Sequence, residues 1–158
     1  MEVLTREIED LKQQNKTKRV DHERINEALS QFDIDALREL SEQISKKRSS
    51  LEDTNNVIQQ QAYRLEDNKN KVKLLLEVPC GDEYSSCKFI KDAHNAQRNV
   101  IVIEQNLIEL REEAEELYEN IESLKPESID RKIEKYESVL EMRDSITPIV
   151  TGKQDSAQ

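Results

Sequence analysis

Along most of the chain, mostly apolar residues recur at alternating spacings of three and four, and no other feature of the sequence limits the possible folds as much. We call these positions the seam, because they would line the contact between two helices. The first run comprises Leu4, Ile8, Leu11, Asn15, Lys18, His22, Ile25, Leu29 and Phe32. The second run comprises Leu37, Leu40, Ile44, Lys47, Leu51, Thr54, Ile58, Gln61, Leu65, Asn68, Val72 and Leu75. An average spacing of 3.5 residues is the repeat of a coiled coil, so we expect long α-helices.

Composition excludes most other fold classes. Charged residues make up 37% of the chain and hydrophobic residues 35%, whereas a globular domain averages about 25% and about 45–50%. Two glycines are too few for the tight turns of a sandwich, a barrel or a doubly wound sheet. No Gly-rich phosphate loop is present, which argues against nucleotide binding. Disorder is disfavoured because the chain is strongly periodic.

The second half of the chain repeats the pattern of the first. Its two runs comprise Val100, Ile103, Leu107, Leu110, Ala114, Leu117, Ile121 and Leu124, and then Ile129, Ile133, Tyr136 and Leu140. The phase shifts between the runs, and the shift coincides with Lys125-Pro126. Proline is tolerated in the first turn of a helix and breaks its interior. We therefore predict breaks near 125–127 and, at the corresponding shift in the first half, near 33–36.

The centre of the chain predicts a turn. Pro79 and Gly81 are helix-stopping residues, and Ser85 or Ser86 could cap a following helix. The sequence thus predicts an all-α fold, a long antiparallel coiled-coil helical hairpin with a short cysteine-containing apex loop. The arms are residues 1–77 and 87–146, the apex loop is 78–86, and 147–158 form a disordered tail.

The hairpin predicts a register between its arms. If the first arm ends near Glu77 and the second begins near Ser86, position i faces roughly position 163 minus i. The break near 34–37 then faces 126–129, where Pro126 lies. The first dozen residues face the polar segment 151–158, so they are either unpaired or paired with another chain. We expect the arms to continue in a longer protein.

Both cysteines of the protein lie at the predicted apex, where three interpretations compete. Zinc prefers four N or S ligands, so two hairpins that each supply Cys80 and Cys87 would complete one site. The six intervening residues exceed the usual two to four. Alternatively, a Cys80–Cys87 disulfide closes the turn, or both thiols are unligated. His94 lies about 10 Å along the helix from Cys87, so we expect a seam or surface residue rather than a ligand.

The flanks of the apex carry more apolar residues than a two-helix seam requires. The surplus either closes the hairpin end or contacts a second hairpin, through Val78, Tyr84, Phe89 and Ile90. A second surplus at 100–103 indicates either a partner surface or a thicker core. No run of about 18 apolar residues is present, so we expect no membrane span.

Segment 78–90 resembles the zinc hook of the SMC-related DNA-repair ATPases of the SbcC type. In that family a long antiparallel coiled coil turns at a Cys-Pro-x-Cys hook, and two hooks share one zinc ion. Here Pro79 precedes Cys80, and the spacing to Cys87 is six residues. By position, Cys80 and Cys87 match the family's two ligands.

The resemblance implies a non-catalytic dimerisation segment of an intracellular DNA-repair or recombination ATPase. It implies one Zn²⁺ shared between two chains, a homodimer through the apex, and a nuclease subunit and DNA as partners of parts outside this chain. The alternative is a scaffold, or a coiled-coil hairpin that resembles class I viral fusion subunits, with a Cys80–Cys87 disulfide. Such subunits tend to carry Trp and several glycosylation sequons. This chain has no Trp, and its one sequon begins at Asn15.

Overall fold

The computed structural model describes residues 2–77 and 87–151, without the side chains of 88, 89 and 147–151. These residues form four α-helices: α1 (Glu2–Ser30), α2 (Ile34–Glu77), α3 (Lys88–Ser123) and α4 (Pro126–Thr151). No strand occurs within these ranges. The chain divides into two compact units, unit 1 with residues 1–42 and 125–158, and unit 2 with residues 43–124. The all-α class is therefore confirmed.

In unit 2, α2 and α3 lie side by side in opposite directions. The Asn99 side-chain amide donates to Oδ1 of Asn68 at 3.5 Å. Nearby, the Lys69 ammonium lies 2.9 Å from a carboxylate oxygen of Glu104. Further from the turn, Gln61 and Leu110 line one cavity. From the Asn68–Asn99 contact to the Gln61–Leu110 contact, the residue number falls on α2 and rises on α3, which is the antiparallel order of a helical hairpin.

The predicted seam of unit 2 is confirmed by burial. Every seam position of α2 from Ile44 to Leu75 is buried or half-buried. On α3, Ile103 and Leu107 are buried at 4% and 3% exposure. The residues that close the seam are thus spaced as in a coiled coil, and burial of this narrow apolar stripe stabilises the pair.

In unit 1, α1 packs against α4. Leu29 of α1 and Ile129 of α4 are buried. The ring of Phe32, which follows α1, meets the ring of Tyr136 edge to face, with centroids 5.9 Å apart. Such an aromatic pair adds about 0.5–1.5 kcal/mol beyond the area that it buries.

The first break has a simple chemical cause. The N–H of Phe32 still bonds to the carbonyl of Leu29 at 3.1 Å, which closes the last turn of α1. Asp33 then begins α2, because its Oδ1 accepts the N–H of Ala36 at 3.1 Å and its carbonyl accepts that of Leu37. Asp is among the favoured N-cap residues. The helix is thus interrupted at 31–33, next to the phase shift at 33–36.

The second break uses one residue for both helices. Lys125 follows α3 with a positive φ of 51°, the left-handed conformation that often ends a helix. Its carbonyl accepts the N–H groups of Ser128 and Ile129, so it also begins α4. Pro126 is the first residue of α4, where its missing N–H leaves no helical bond unmade.

The register differs from the sequence-based estimate. Asn68 was expected to face Asn95 and contacts Asn99, and Phe32 was expected to face Arg131 and contacts Tyr136. Side chains of a helix lean toward its N-terminus, so partners on antiparallel helices meet about two positions later than their Cα levels suggest. In addition, α3 begins at Lys88, two residues after Ser86. The first break therefore lies beside Tyr136, and the predicted opposition of 34–37 and 126–129 is wrong.

The C-terminal boundary also differs. We predicted a disordered tail from 147, whereas α4 continues to Thr151. Pro148 removes one backbone hydrogen bond near the end of α4, which weakens the last turn without ending it. Residues 152–158 of the predicted tail lie outside the described residues.

Candidate metal centre

The candidate centre lies where the hairpin of unit 2 turns. Helix α2 ends at Glu77, and Cys87 directly precedes α3 as its N-cap. Cys80, the other predicted ligand, follows Glu77 by three residues. Cys80 lies outside the described residues, as do Val78 and Tyr84. The cysteine-containing apex loop therefore remains a prediction.

Cys87 starts α3 through its backbone and leaves its side chain unused. Its backbone is extended, with φ −63° and ψ 126°, and its carbonyl accepts the N–H groups of Ile90 and Lys91 at 3.1 and 2.9 Å. The side chain makes no capping hydrogen bond, and the half-buried thiol is free. We expected Ser85 or Ser86 at this position because Ser caps helices well. The observed cap is instead a residue type that caps poorly.

The first turns of α3, next to the hairpin turn, are tightly packed. Ile90 is 1% exposed, and Ala93 and Ala96 are 2% and 1% exposed. Small residues at seam positions allow α2 and α3 to approach closely. Ile90 was predicted either to close the hairpin end or to contact a second hairpin, and its side chain is buried within its own chain. Phe89, predicted for the same contact, lies in the first turn of α3.

The apolar surplus predicted beside the turn includes exposed residues of α2. Leu74 and Leu76 are 48% and 87% exposed, whereas Leu75 between them occupies the seam. The repeat indicates the exposure of Leu76, because Leu76 follows a seam position directly. In the second surplus, Ile101 and Val102 are 69% and 58% exposed, so those two side chains do not thicken the core.

His94 lies in α3, two turns beyond Cys87, and is half-buried. It lines a shallow groove together with Lys91, Asn95, Gln97 and Arg98. This position agrees with the expectation of a seam or surface residue.

Ion pairs hold the helices near the turn. Lys71 lies 2.7 Å from a carboxylate oxygen of Asp67, one turn earlier in α2. The pKa of Lys71 is raised, first by the hydrogen bond with Asp67 and then by the charge of that carboxylate, with a smaller contribution from Asp92 across the seam. The Lys69–Glu104 pair is about half exposed, and such pairs add about 0–1 kcal/mol. The Lys69–Glu104 pair links α2 to α3, whereas the Lys71–Asp67 pair lies within α2.

Within residues 2–77 and 87–151, no three His, Cys, Asp or Glu side chains lie together as a metal site. Cys87 alone supplies one sulfur ligand, and a structural zinc site needs four N or S ligands. A site at this turn would therefore need Cys80 and donors from a second chain. The unused Cys87 side chain fits that donor set.

No helix in the described part of the chain is long and apolar enough to cross a membrane. The fold defines an all-α protein built from antiparallel helix pairs. Comparison with protein-family models, curated proteins and solved structures finds no match to this chain.

Proposed function

We propose that this chain is the zinc-mediated dimerisation segment, or hook, of a coiled-coil ATPase of DNA repair or recombination. One observation carries the proposal. Cys87 stands at the N-cap of α3 with a side chain that does not cap the helix, and Cys80 lies three residues beyond the end of the antiparallel partner helix. Ser, Thr, Asp or Asn at this position would cap α3 better than Cys does. Capping therefore does not explain a cysteine here, which favours a role for its thiol.

The proposed site has four thiolates, two from each chain. Cys80 and Cys87 of one chain would bind Zn²⁺ together with the same residues of a second copy, giving one zinc ion per two chains. Each thiol releases a proton on binding, so zinc binding is coupled to association and to pH.

The helix pair positions the hook. An exposed hydrogen bond of 3.5 Å between Asn99 and Asn68 links α2 and α3 near the turn. The proposal is supported by this pairing, because the end of α2 and the start of α3 then lie at the same turn. The segment itself is non-catalytic and tethers two intracellular complexes, whose ATPase, nuclease and DNA contacts belong to parts outside this chain.

Serine substitution tests the proposal. We expect the zinc-loaded protein to hold about half a zinc ion per chain and to associate through the hook, and Cys80→Ser plus Cys87→Ser to bind no zinc and to lose that zinc-dependent association. Helicity should persist in the variant, because serine caps helices at least as well as the residue it replaces. Light scattering with and without chelator, metal analysis and circular dichroism provide the measurements.

Two controls separate the alternatives. Ser85→Ala alters the same segment and should leave the dimer and its zinc unchanged, and His94→Ala should leave the zinc content unchanged. A monomer that retains zinc, or an association whose Kd changes neither with chelator nor with both serine substitutions, would contradict the proposal. In the disulfide alternative, titration under non-reducing conditions finds no free thiol, whereas the hook without zinc has two per chain.

A further inference from the structure

The N-terminal part of α1 carries an apolar stripe that its own chain does not cover. Leu4, Ile8 and Leu11 are 64%, 48% and 51% exposed. They continue the seam that buries Leu29 at the other end of the same helix. A run of exposed apolar residues at coiled-coil spacing is typical of a surface for another helix.

The residue types in this stripe favour a parallel pair of helices. In heptad positions Ile8 is an a residue, and Leu4 and Leu11 are d residues. A β-branched residue at a with Leu at d favours two parallel strands.

Asn15 marks the end of the uncovered stripe. It is half-buried, and its side-chain Oδ1 is already covered within the single chain. The apolar surface open to a second copy therefore comprises Leu4, Ile8 and Leu11.

Charge complementarity selects the same orientation. Glu7 occupies a g position and Lys12 the following e position, and both are exposed. In a parallel pair, g of one helix faces the next e of its partner, so Glu7 meets Lys12 twice. In an antiparallel pair, g faces g and e faces e, and no such opposite-charge contact forms.

We propose that residues 2–12 of α1 form a parallel two-stranded coiled coil with the same residues of a second copy of this chain. The pair has Leu4, Ile8 and Leu11 in its seam, and Glu7 next to Lys12. This contact lies in unit 1 and needs no metal, so it is independent of the proposed hook.

The first test uses the full chain with Cys80→Ser plus Cys87→Ser in chelator, which removes any association through zinc or a disulfide. Sedimentation equilibrium should show a reversible monomer–dimer equilibrium. Ile8→Lys should raise its Kd by at least about tenfold, because a charge then enters the seam. The matched control is Val3→Lys, which adds the same charge at a residue that is 70% exposed and lies outside the seam. It should change the Kd by less than about twofold.

The second test exchanges charges. Glu7→Lys alone and Lys12→Glu alone each place like charges at both g–e contacts, and each should weaken the dimer about fivefold. A mixture of the two variants restores both opposite-charge contacts, so heterodimers should form in preference to either homodimer. The statistical 1:2:1 distribution of homodimer, heterodimer and homodimer would contradict the parallel register.

A cysteine placed in the seam of the same cysteine-free background reports orientation directly. Ile8→Cys should form an interchain disulfide under oxidation, since equal a positions meet in a parallel pair. Val3→Cys is the control and should crosslink much less. A chain that stays monomeric at all concentrations, or an Ile8→Lys variant that associates as well as Val3→Lys, would overturn the proposal. Circular dichroism should show unchanged helicity, because Ile8 is already exposed in the monomer.

Discussion

At the scale of single residues, Gln61 combines a seam position with an unmet hydrogen bond. Its side-chain Oε1 is buried, without a partner among the described residues. It lines a cavity of about 320 Å³ with Leu110 and the polar residues Asn106, Glu109 and Glu113 of α3. The site therefore has room for an apolar side chain, and no hydrogen bond among the described residues offsets the cost of burying the Gln61 oxygen.

We predict that Gln61→Leu raises the free energy of unfolding by about 1–2 kcal/mol, because it removes an unpaired acceptor and adds an apolar seam contact. Urea denaturation followed by circular dichroism measures the change. Gln59→Leu is the control, since Gln59 is exposed on the same helix and its substitution should change stability by less than about 0.5 kcal/mol. A Gln61→Leu variant that is less stable than the parent would show that the glutamine is satisfied in solution.

At the scale of helices, the start of α2 depends on one side chain. Asp33 supplies the only acceptor that the described structure gives to the N–H of Ala36 at this N-terminus. The preceding residue, Phe32, also anchors the break against Tyr136. The cap and the aromatic contact together fix where α1 ends and α2 begins.

Asp33→Ala should lower the free energy of unfolding by about 1 kcal/mol, because an N-cap residue is lost. Asp35→Ala removes the same charge from the first turn of α2 without touching the cap, and it should cost about 0.3–1 kcal/mol at low salt. High salt should therefore erase the effect at Asp35 and retain most of it at Asp33. Thermal and urea unfolding at two salt concentrations measure the difference. Equal losses at high salt would show that Asp33 acts through its charge alone.

The sequence predicted the helices and their buried faces well, because burial of a narrow stripe needs a regular repeat. The repeat assigned Thr54 and Asn68 to the seam although their side chains are polar, and both are buried or half-buried there. Register was less predictable, because it depends on side-chain lean and on the first residue of α3. The break at 31–33 could have been located more closely from Asp33, whose type favours an N-cap.

The candidate site was predictable only in part. The two cysteines stood out by their position near the centre of the chain, and the structure places Cys87 at the start of α3. Burial of Ile90 was one of two expectations, and the repeat did not decide between them, because it begins at Val100 whereas buried residues of α3 extend toward the turn through Ala93 and Ala96. The exposure of Leu76 depends in turn on which neighbour takes the seam position.

At the scale of the whole molecule, the net charge opposes self-association. The chain has 34 acidic and 24 basic residues and a formal net charge of −10 at pH 7. Two copies therefore repel each other over distances that salt screens, with a Debye length of about 10 Å at 0.1 M. The g–e pairs proposed for α1 act at short range and contribute about 0.3–0.5 kcal/mol each.

We predict that both proposed associations become tighter when NaCl rises from about 20 mM to about 200 mM, because screening weakens the repulsion of the whole chains more than it weakens two local pairs. Sedimentation equilibrium at several salt concentrations gives the trend, for the zinc-loaded chain and for the double serine variant in chelator. An uncharged osmolyte at equal osmolality is the control and should not reproduce it. If α1 association weakens as salt rises, then local charge pairs dominate that contact.

The edge-to-face contact of Phe32 and Tyr136 has a mechanical consequence. The backbone of the first arm is interrupted at 31–33, yet the helix beside this point, α4, is continuous from Pro126 to Thr151. Bending at the interruption would have to separate the two rings and distort an intact helix. Helix α4 therefore supports the first arm at its interruption. A force applied along unit 1 is carried past residues 31–33 by the continuous backbone of α4.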